Sequence, residues 1–224
     1  NSLSQALSSL GKLDGNLKYL IKIHTGRYIE KNVISLEEIN NNNFNNISII
    51  GDSKETTEIY FDLENIPENG VLIQGNSGLI QDLKITYINL NSIDRRIDVI
   101  NFSVVDVNLN NINFNIESNN VNVLNLSNCT NTNYLRNIDM NIKYFFTDNN
   151  TEEIIEGINC VNSNLIKMDN VTINISSSDS FTSSNSSKII NNTNFINTFF
   201  ESKNLNFQLA TETQNSNLIK YSNL

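Results

Sequence analysis

Apolar residues return along this chain in short alternating bursts, each introduced by an Asn or Asp. Asn170-Val171-Thr172-Ile173-Asn174-Ile175 is the clearest copy. Others are Asn46-Ile47-Ser48-Ile49, Asp82-Leu83-Lys84-Ile85, Asn111-Ile112-Asn113-Phe114, Asn137-Ile138-Asp139-Met140 and Asn204-Leu205-Asn206-Phe207. A period of two places the apolar side chains on one face of a strand and the polar ones on the other. The copies start at 46, 82, 111, 137, 170 and 204, so the intervals are 36, 29, 26, 33 and 34 residues. Self-similarity at that period predicts stacked repeats.

Each repeat carries more than one apolar segment. Well ahead of each later copy stand Ile97, Val99 and Ile100; Val121, Val123 and Leu124; Ile154 and Ile155; Ile189 and Ile190. Closer in come Leu79-Ile80, Tyr134-Leu135, Leu165-Ile166 and Phe199-Phe200. Three segments joined by polar bends predict one coil of a three-faced parallel β-helix, each face feeding its own sheet, with coils about 4.8 Å apart. An antiparallel sandwich would need tight Gly-containing hairpin turns. After Gly78 the only glycine is Gly157, so the parallel solenoid is preferred. Asn128-Cys129-Thr130-Asn131 and Asn159-Cys160-Val161-Asn162 match at an offset of 31. They predict Asn as the bend residue, since Asn tolerates left-handed backbone and can bond to its copy one coil away.

Residues 1–18 read as an amphipathic cap. Leu3, Ala6, Leu7 and Leu10 are at helical spacing over 2–13, with Ser2 as N-cap and Gly11 and Gly15 as stops. A solenoid needs such a lid over its first coil. Residues 19–224 form the β-helix, opening with a strand over Leu17 to Ile23. The polar run Asn40 to Asn43 and the segment Glu64 to Gly70 are loops. At the other end Leu218-Ile219 and Asn223-Leu224 begin another phrase, so the expectation is a fragment, or an end met by a protein partner or a second copy.

Composition sharpens this picture. Asn makes up about a fifth of the 224 residues. So polar a chain could be disordered, but the regular return of Ile, Val, Leu and Phe supplies a core. A net charge of −9 and a sequence pI near 4.6 exclude a phosphate-binding basic stripe, so no nucleic-acid partner is expected. No apolar run is long enough for a membrane span.

Candidate chemistry is thin. Cys129 and Cys160, at equivalent places in consecutive repeats, are either a disulfide or two small core residues. His24, the one histidine, is expected in a solvated turn. Glu37-Glu38 and Glu152-Glu153 are adjacent pairs that strands send to opposite faces. Asp94-Arg95-Arg96-Ile97-Asp98 is the densest charge cluster, read as a salt-bridged loop or a contact to an acidic sugar. Asn-x-Ser/Thr triplets at Asn46, Asn101, Asn125, Asn128, Asn149, Asn170, Asn174, Asn185 and Asn191 follow from composition and are not read as glycan sites. No nucleophile elbow, phosphate loop or dinucleotide motif is present. No catalytic, cofactor-binding or metal-ligating residue is therefore assigned.

The opening of the chain resembles pectinesterase-type members of the pectin-lyase-like superfamily. The likeness rests on Ser4-Gln5-Ala6-Leu7, Tyr19-Leu20-Ile21-Lys22-Ile23, Gly26-Arg27-Tyr28-Ile29-Glu30, Ile50-Gly51-Asp52 and Lys54-Glu55-Thr56-Thr57-Glu58-Ile59. It implies a right-handed, single-stranded parallel β-helix with an N-terminal capping helix, Gly-x-Tyr-x-Glu and Ile-Gly-Asp being scaffold signatures. It implies no activity here, because the family's Asp-Phe-Ile-Phe-Gly-like catalytic segment, its Trp and its Arg motif have no counterpart.

Two functions follow as expectations. One is a noncatalytic scaffold in a virion or cell-surface fibre, spike or adhesin-like assembly. The other is a carbohydrate-active enzyme of polyuronide esterase or lyase type, with a glycan-binding module between the two. An enzyme needs charged outward positions on neighbouring coils. Those of the repeat phrases are Ser48, Lys84, Asn113, Asp139, Thr172 and Asn206, which are mostly neutral.

Overall fold

Chain order begins with α1 (Leu3–Ser9), β1 (Tyr19–Ile23), β2 (Gly26–Glu30) and β3 (Ile34–Ser35). Next come β4 (Ile47–Gly51), β5 (Thr57–Phe61), β6 (Val71–Gly75) and β7 (Gly78–Ile88). They are followed by β8 (Ile97–Ser103), β9 (Val107–Ser118), β10 (Val121–Ser127), β11 (Thr132–Tyr144) and β12 (Glu153–Val161). The last are β13 (Leu165–Ser177), β14 (Lys188–Ile196), β15 (Phe199–Ala210) and β16 (Ser216–Ser222). This computed structural model describes residues 2–9, 18–35, 47–63, 70–75, 78–91, 95–103, 107–145, 152–177, 188–210 and 216–222. Leu10 to Leu13, Gly15, Glu37-Glu38, Asn40 to Asn43, Asn46, Glu64 to Asn69, Asp94, Asn149, Asn185 and Asn223-Leu224 lie outside the described residues.

The fold is a parallel β-solenoid. One sheet has nine strands and the other seven, and each strand lies beside its counterpart from the next coil. The expected three sheets are two, for a local reason. In β7, β9, β11, β13 and β15 one residue has positive φ: Asp82 (57°), Asn111 (56°), Asn137 (52°), Asn170 (57°) and Asn204 (54°). These are the residues that introduce the repeat phrase. One left-handed residue turns the strand without breaking its ladder, so two faces fuse into one bent sheet. The early coils show the join, because β7 pairs with β4 through Ser48↔Leu79 and with β5 through Glu58↔Lys84.

That pairing corrects the phase of the first phrase. Ile47 to Gly51 belongs to the limb before the bend, whereas Leu83 to Ile88 belongs to the limb after it. Ser48 is therefore not in line with Lys84; Glu58 is. The bend position of β4 falls to Gly51, where a Cβ would lie 2.1 Å from the Asp82 carbonyl oxygen.

The inner columns follow the alternation. Leu83, Ile112, Ile138, Val171 and Leu205 form one column, and Ile85, Phe114, Met140, Ile173 and Phe207 another. Facing them from the second sheet are Ile97, Val121, Ile155 and Ile190, and then Phe102, Leu126, Cys160 and Phe195. Ile138 and Val171 are wholly buried. Like side chains stack on like, so one coil's packing templates the next.

The cap is built as a capping box. Ser2 Oγ accepts from the Gln5 N–H (3.1 Å) while Gln5 Oε1 accepts from the Ser2 N–H (3.2 Å). Glu30, wholly buried at the end of β2, accepts from the N–H groups of Leu3 and Ser4 and from Ser4 Oγ. Two carboxylate oxygens thus satisfy the free donors at the helix start. Leu3 and Leu7 are buried on the first coil, whereas Ala6, expected on the same face, is exposed.

Candidate functional site

The charge cluster around Arg96 is larger than its sequence extent. Asp98 is the second residue of β8, and stacked beyond it on the seven-stranded sheet come Asn122, Glu156 and Asn191. A second outward column runs Asn101, Asn125, Asn159 and Asn194. The Arg96 guanidinium spans the first, with Nη1 at 3.3 Å from Glu156 Oε2 and Nε at 3.7 Å from Asp98 Oδ1. Glu156 Oε1 also accepts from Asn191 Nδ2 (3.0 Å) and Asn194 Nδ2 (3.2 Å). Asp98 Oδ2 accepts from Asn125 Nδ2 (2.6 Å) and Asn101 Nδ2 (2.9 Å). The expected salt-bridged loop is present, and it reaches a carboxylate 60 residues on.

Asp98 is 8% exposed and Glu156 3%. Burial pushes the Asp98 carboxyl up, against the pull of Asn125, Arg96, Asn101 and Asn122. Although Asn122 leans toward Asp98 closely enough to oppose that rise, neither of its amide atoms makes a well-formed hydrogen bond. One coil separates Asp98 from Glu156, and amides and a guanidinium hold both. Such carboxylates fix the sheet.

On the outward face of the nine-stranded sheet, Lys84, Asn113, Asp139, Thr172 and Asn206 do align. Their true upstream neighbours are Glu58 and Arg27. Glu58 bridges the coils, 3.4 Å from Arg27 Nε, 3.1 Å from Lys84 Nζ and 2.6 Å from Thr86 Oγ1. Desolvation raises its pKa, but the Thr86 and Lys84 hydrogen bonds and the two cations outweigh that and leave it lowered. Arg27 also lies 3.9 Å from the centre of the Tyr60 ring.

Asparagine ladders run along both sheets and one bend. Asn170 Nδ2 donates to Asn137 Oδ1 (3.0 Å), Asn174 to Asn141 (3.2 Å), Asn159 to Asn125 (3.1 Å), Asn194 to Asn159 (3.1 Å) and Asn197 to Asn162 (3.1 Å). The Asn-x-Ser/Thr triplets at Asn101, Asn125, Asn170 and Asn174 therefore hold structural amides. The second bend also uses left-handed Asn, at Asn128, Asn162 and Asn197. Here the expected offset of 31 is wrong. Asn128 corresponds to Asn162, the two N–H groups donating to Val161 and Ile196 carbonyls in turn.

The same correction separates the cysteines. Cys160 stacks between Leu126 and Phe195, whereas the Cys129 N–H donates to Ser163 Oγ (3.3 Å). Both are buried and no disulfide joins them, the second of the two expected readings, but they stand at inequivalent positions. Burial, then the neighbouring Cys129, raises the Cys160 thiol pKa well above its ordinary value. His24 is solvated as expected, its side chain 79% exposed and 3.4 Å from Asp52. Glu152 and Glu153 diverge as expected, Glu153 being buried and taking a 2.6 Å hydrogen bond from Asn119. Among the described residues no group of three or more His, Cys, Asp or Glu is placed to hold a metal, and no helix is long and apolar enough to cross a membrane.

Neither a known protein-family pattern nor any curated protein matches this chain.

Proposed function

We propose that this chain is a noncatalytic structural module, a stiff β-solenoid in a fibre, spike or adhesin-like assembly at a virion or cell surface. The asparagine ladders carry the reading: outward amides bond to their own copies along the axis. Axial ladders add a second set of coil-to-coil bonds to the backbone ladder, which suits a load-bearing rod. Leu205 and Phe207 are half-buried where Val171 and Ile173 are fully buried, so the inner columns leave room for a further rung on β15, supplied by more of the same chain, a protein partner or a second copy. The resemblance to pectin-lyase-like β-helices fits the same reading, since the matched segments build the cap: Glu30 holds α1 and Gly51 makes the first close bend. The test is hydrodynamic and enzymatic together. Sedimentation and small-angle scattering should give an elongated particle that does not cleave or de-esterify polyuronides. Turnover of such a polymer by the pure protein overturns the proposal.

A second reading, a carbohydrate-active or glycan-binding surface, has one observation in its favour: Asp98, Glu156 and Arg96 converge on one sheet. Under it, Asp98→Asn and Glu156→Gln each abolish turnover or binding while leaving the circular dichroism unchanged.

A further inference from the structure

The limb of the bent sheet before the left-handed Asn presents two outward columns, away from the Asp98 network. At the N-terminal end Leu20, Ser48 and Leu79 are register partners, and two residues further along the same strands stand Lys22, Ile50 and Gln81. Asn108 and Asn110 continue the two columns. At the far end Tyr134, Lys167 and Glu201 belong to the first column and Arg136, Asp169 and Lys203 to the second. Leu20 is 63% exposed, and Lys22, Arg136 and Lys203 are exposed too, so solvent reaches both ends of the face. Lys167 is matched to Glu201 at 3.1 Å, but Asp169 and Lys203 meet no ion-pair partner among the described residues. Lys22, Arg136, Lys167 and Lys203 stand here against Asp169 and Glu201, a balance opposite in sign to a chain of net charge −9. Two acidic copies therefore repel least when they approach through this face.

We propose that two copies of this chain pair side by side through these columns, with their solenoids parallel, about a two-fold axis that runs along the rod between the columns. Such an axis keeps each coil level with its copy and reverses the strand direction, so the first column of one copy faces the second column of the other. Opposite charges then meet. Lys167 faces Asp169 of the second copy and Glu201 faces its Lys203, each contact occurring twice, so the two unmatched side chains gain partners. Arg136, 4.7 Å from the centre of its own Tyr134 ring, faces the Tyr134 of the second copy. Asn108 faces Asn110, amide to amide. At the N-terminal end Ile50 faces the small Ser48 and enters between Leu20 and Leu79 of the second copy, which takes the exposed Leu20 out of water. An antiparallel pairing fails on the same columns, because it sets Leu20 on Glu201 and Lys22 on Lys203. Seven strands cross the face, about 4.8 Å apart, and only two columns meet, so the interface is small. The pair is weak, with a Kd on the order of 100 µM, and tightens where several rods are held together.

Sedimentation equilibrium and small-angle scattering on the intact chain, from about 10 µM to about 1 mM, test this. The expected result is a monomer–dimer equilibrium in which the cross-section of the particle grows and its length does not. Asp169→Lys sets lysine against lysine at both copies of that contact, and Lys167→Glu sets carboxylate against carboxylate; each should weaken the dimer about tenfold or more. Mixed in equal amounts, the two variants should pair with each other, because the unchanged Lys167 and Asp169 then meet and the two substituted positions carry opposite charges. Lys143→Ala, an exposed change on the limb after the bend, should leave the dimer intact. A monomer throughout the range, a dimer that lengthens without thickening, or folded charge variants that self-associate like the wild type and show no preference for each other would each overturn the proposal. The scaffold reading is judged apart from these outcomes, by the shape of the monomer at low concentration and by turnover of polyuronides.

Discussion

Lys54 Nζ lies 2.6 Å from Asp139 Oδ2, an ion pair between residues 85 apart in sequence. Lys54 sits in the corner that joins β4 to β5. Asp139 belongs to β11, so the pair ties the corner to a strand that lies beyond the coils of β7 and β9. The corner is itself held tightly, with Ser53 Oγ 3.0 Å from Thr56 Oγ1 and the Thr57 N–H donating to the Ser53 carbonyl at 2.9 Å. A pre-ordered corner lowers the entropy lost when Lys54 is fixed. The Asp139 side chain is 43% exposed, so solvent screens the pair. Lys54→Ala should therefore cost only about 0.5–1 kcal/mol in urea unfolding, and less at high salt. A double-mutant cycle with Asp139→Asn isolates the coupling; none at low salt would show the contact contributes nothing.

Acid should unfold this protein partly through Asp52. The Lys22 hydrogen bond, the Thr25 N–H and the nearby charges of Lys22 and His24 lower its pKa to about 2. A carboxyl whose folded pKa lies below its unfolded value of about 3.9 stabilises fully above that value and ceases to as pH falls through 2. Glu58, also lowered, acts in the same direction. Asp98 acts oppositely: its raised pKa makes the folded state prefer the protonated form, so its contribution improves as pH falls through the folded pKa. Thermal midpoints should drop below about pH 4. Asp52→Asn should flatten that acid limb, and Asp98→Asn should raise the midpoint near neutral pH.

Asn170 tests whether the bend needs asparagine or only left-handed backbone. Its φ is 57° and its amide donates to Asn137. Asn170→Ala loses both conveniences, a left-handed alanine alone costing about 1–2 kcal/mol. Asn170→Gly keeps the backbone and loses only the ladder bond, a net of about 0.5–1.5 kcal/mol offset by easier positive φ. Chemical denaturation should therefore rank wild type, Gly, Ala in falling stability. Equal losses for Gly and Ala would mean the amide ladder dominates.

These details mark what the sequence could carry. Ile138 above Val171 was legible, because an alternating strand with one dry side has few other homes. Asp82, Asn111, Asn137, Asn170 and Asn204 were legible as the residues that introduce the alternation, but not as the left-handed bend itself, which the sequence placed only at the Cys-containing segments. Ile47-Ser48-Ile49 misled because the two limbs of the bent sheet alternate alike, and only pairing tells them apart. The Asn128 and Asn159 segments misled in a related way, since Asn and Cys recur together in β12 one turn position early. The Asp98, Arg96 and Glu156 network was out of reach: coil lengths vary, so no fixed offset links residues 60 apart. Only the coil register, read from the inner columns, could have brought them together.

Both cysteines should be silent in the native protein. Cys129 and Cys160 are 1% and 0% exposed, and burial disfavours the reactive thiolate of Cys160. Ellman's reagent should find no fast thiol in buffer and two in strong denaturant. A fast-reacting thiol under native conditions would place that coil's edge in solvent.

Gly157 is the sharpest packing test, because it faces an amide where other coils carry valine. Val99, Val123, Gly157 and Asn192 each follow a member of the outward column Asp98, Asn122, Glu156 and Asn191 on the seven-stranded sheet. Asn192 is wholly buried and donates to the Ile173 carbonyl at 3.0 Å, so a polar side chain enters the core and needs room on the coil before it. A Cβ on Gly157 would lie 2.6 Å from the Asn192 carbonyl oxygen and 2.9 Å from Ile173 Cγ2. Gly157→Ala should cost about 1–3 kcal/mol by overpacking. Ile173→Ala alone should cost about 2–5 kcal/mol through the cavity it leaves. Combined, they should cost less than their sum, since the new methyl enters that cavity, yet the loss should exceed that of Ile173→Ala alone because the Asn192 carbonyl stays in place. Simple additivity would show that Gly157 and Ile173 do not share one pocket across the solenoid.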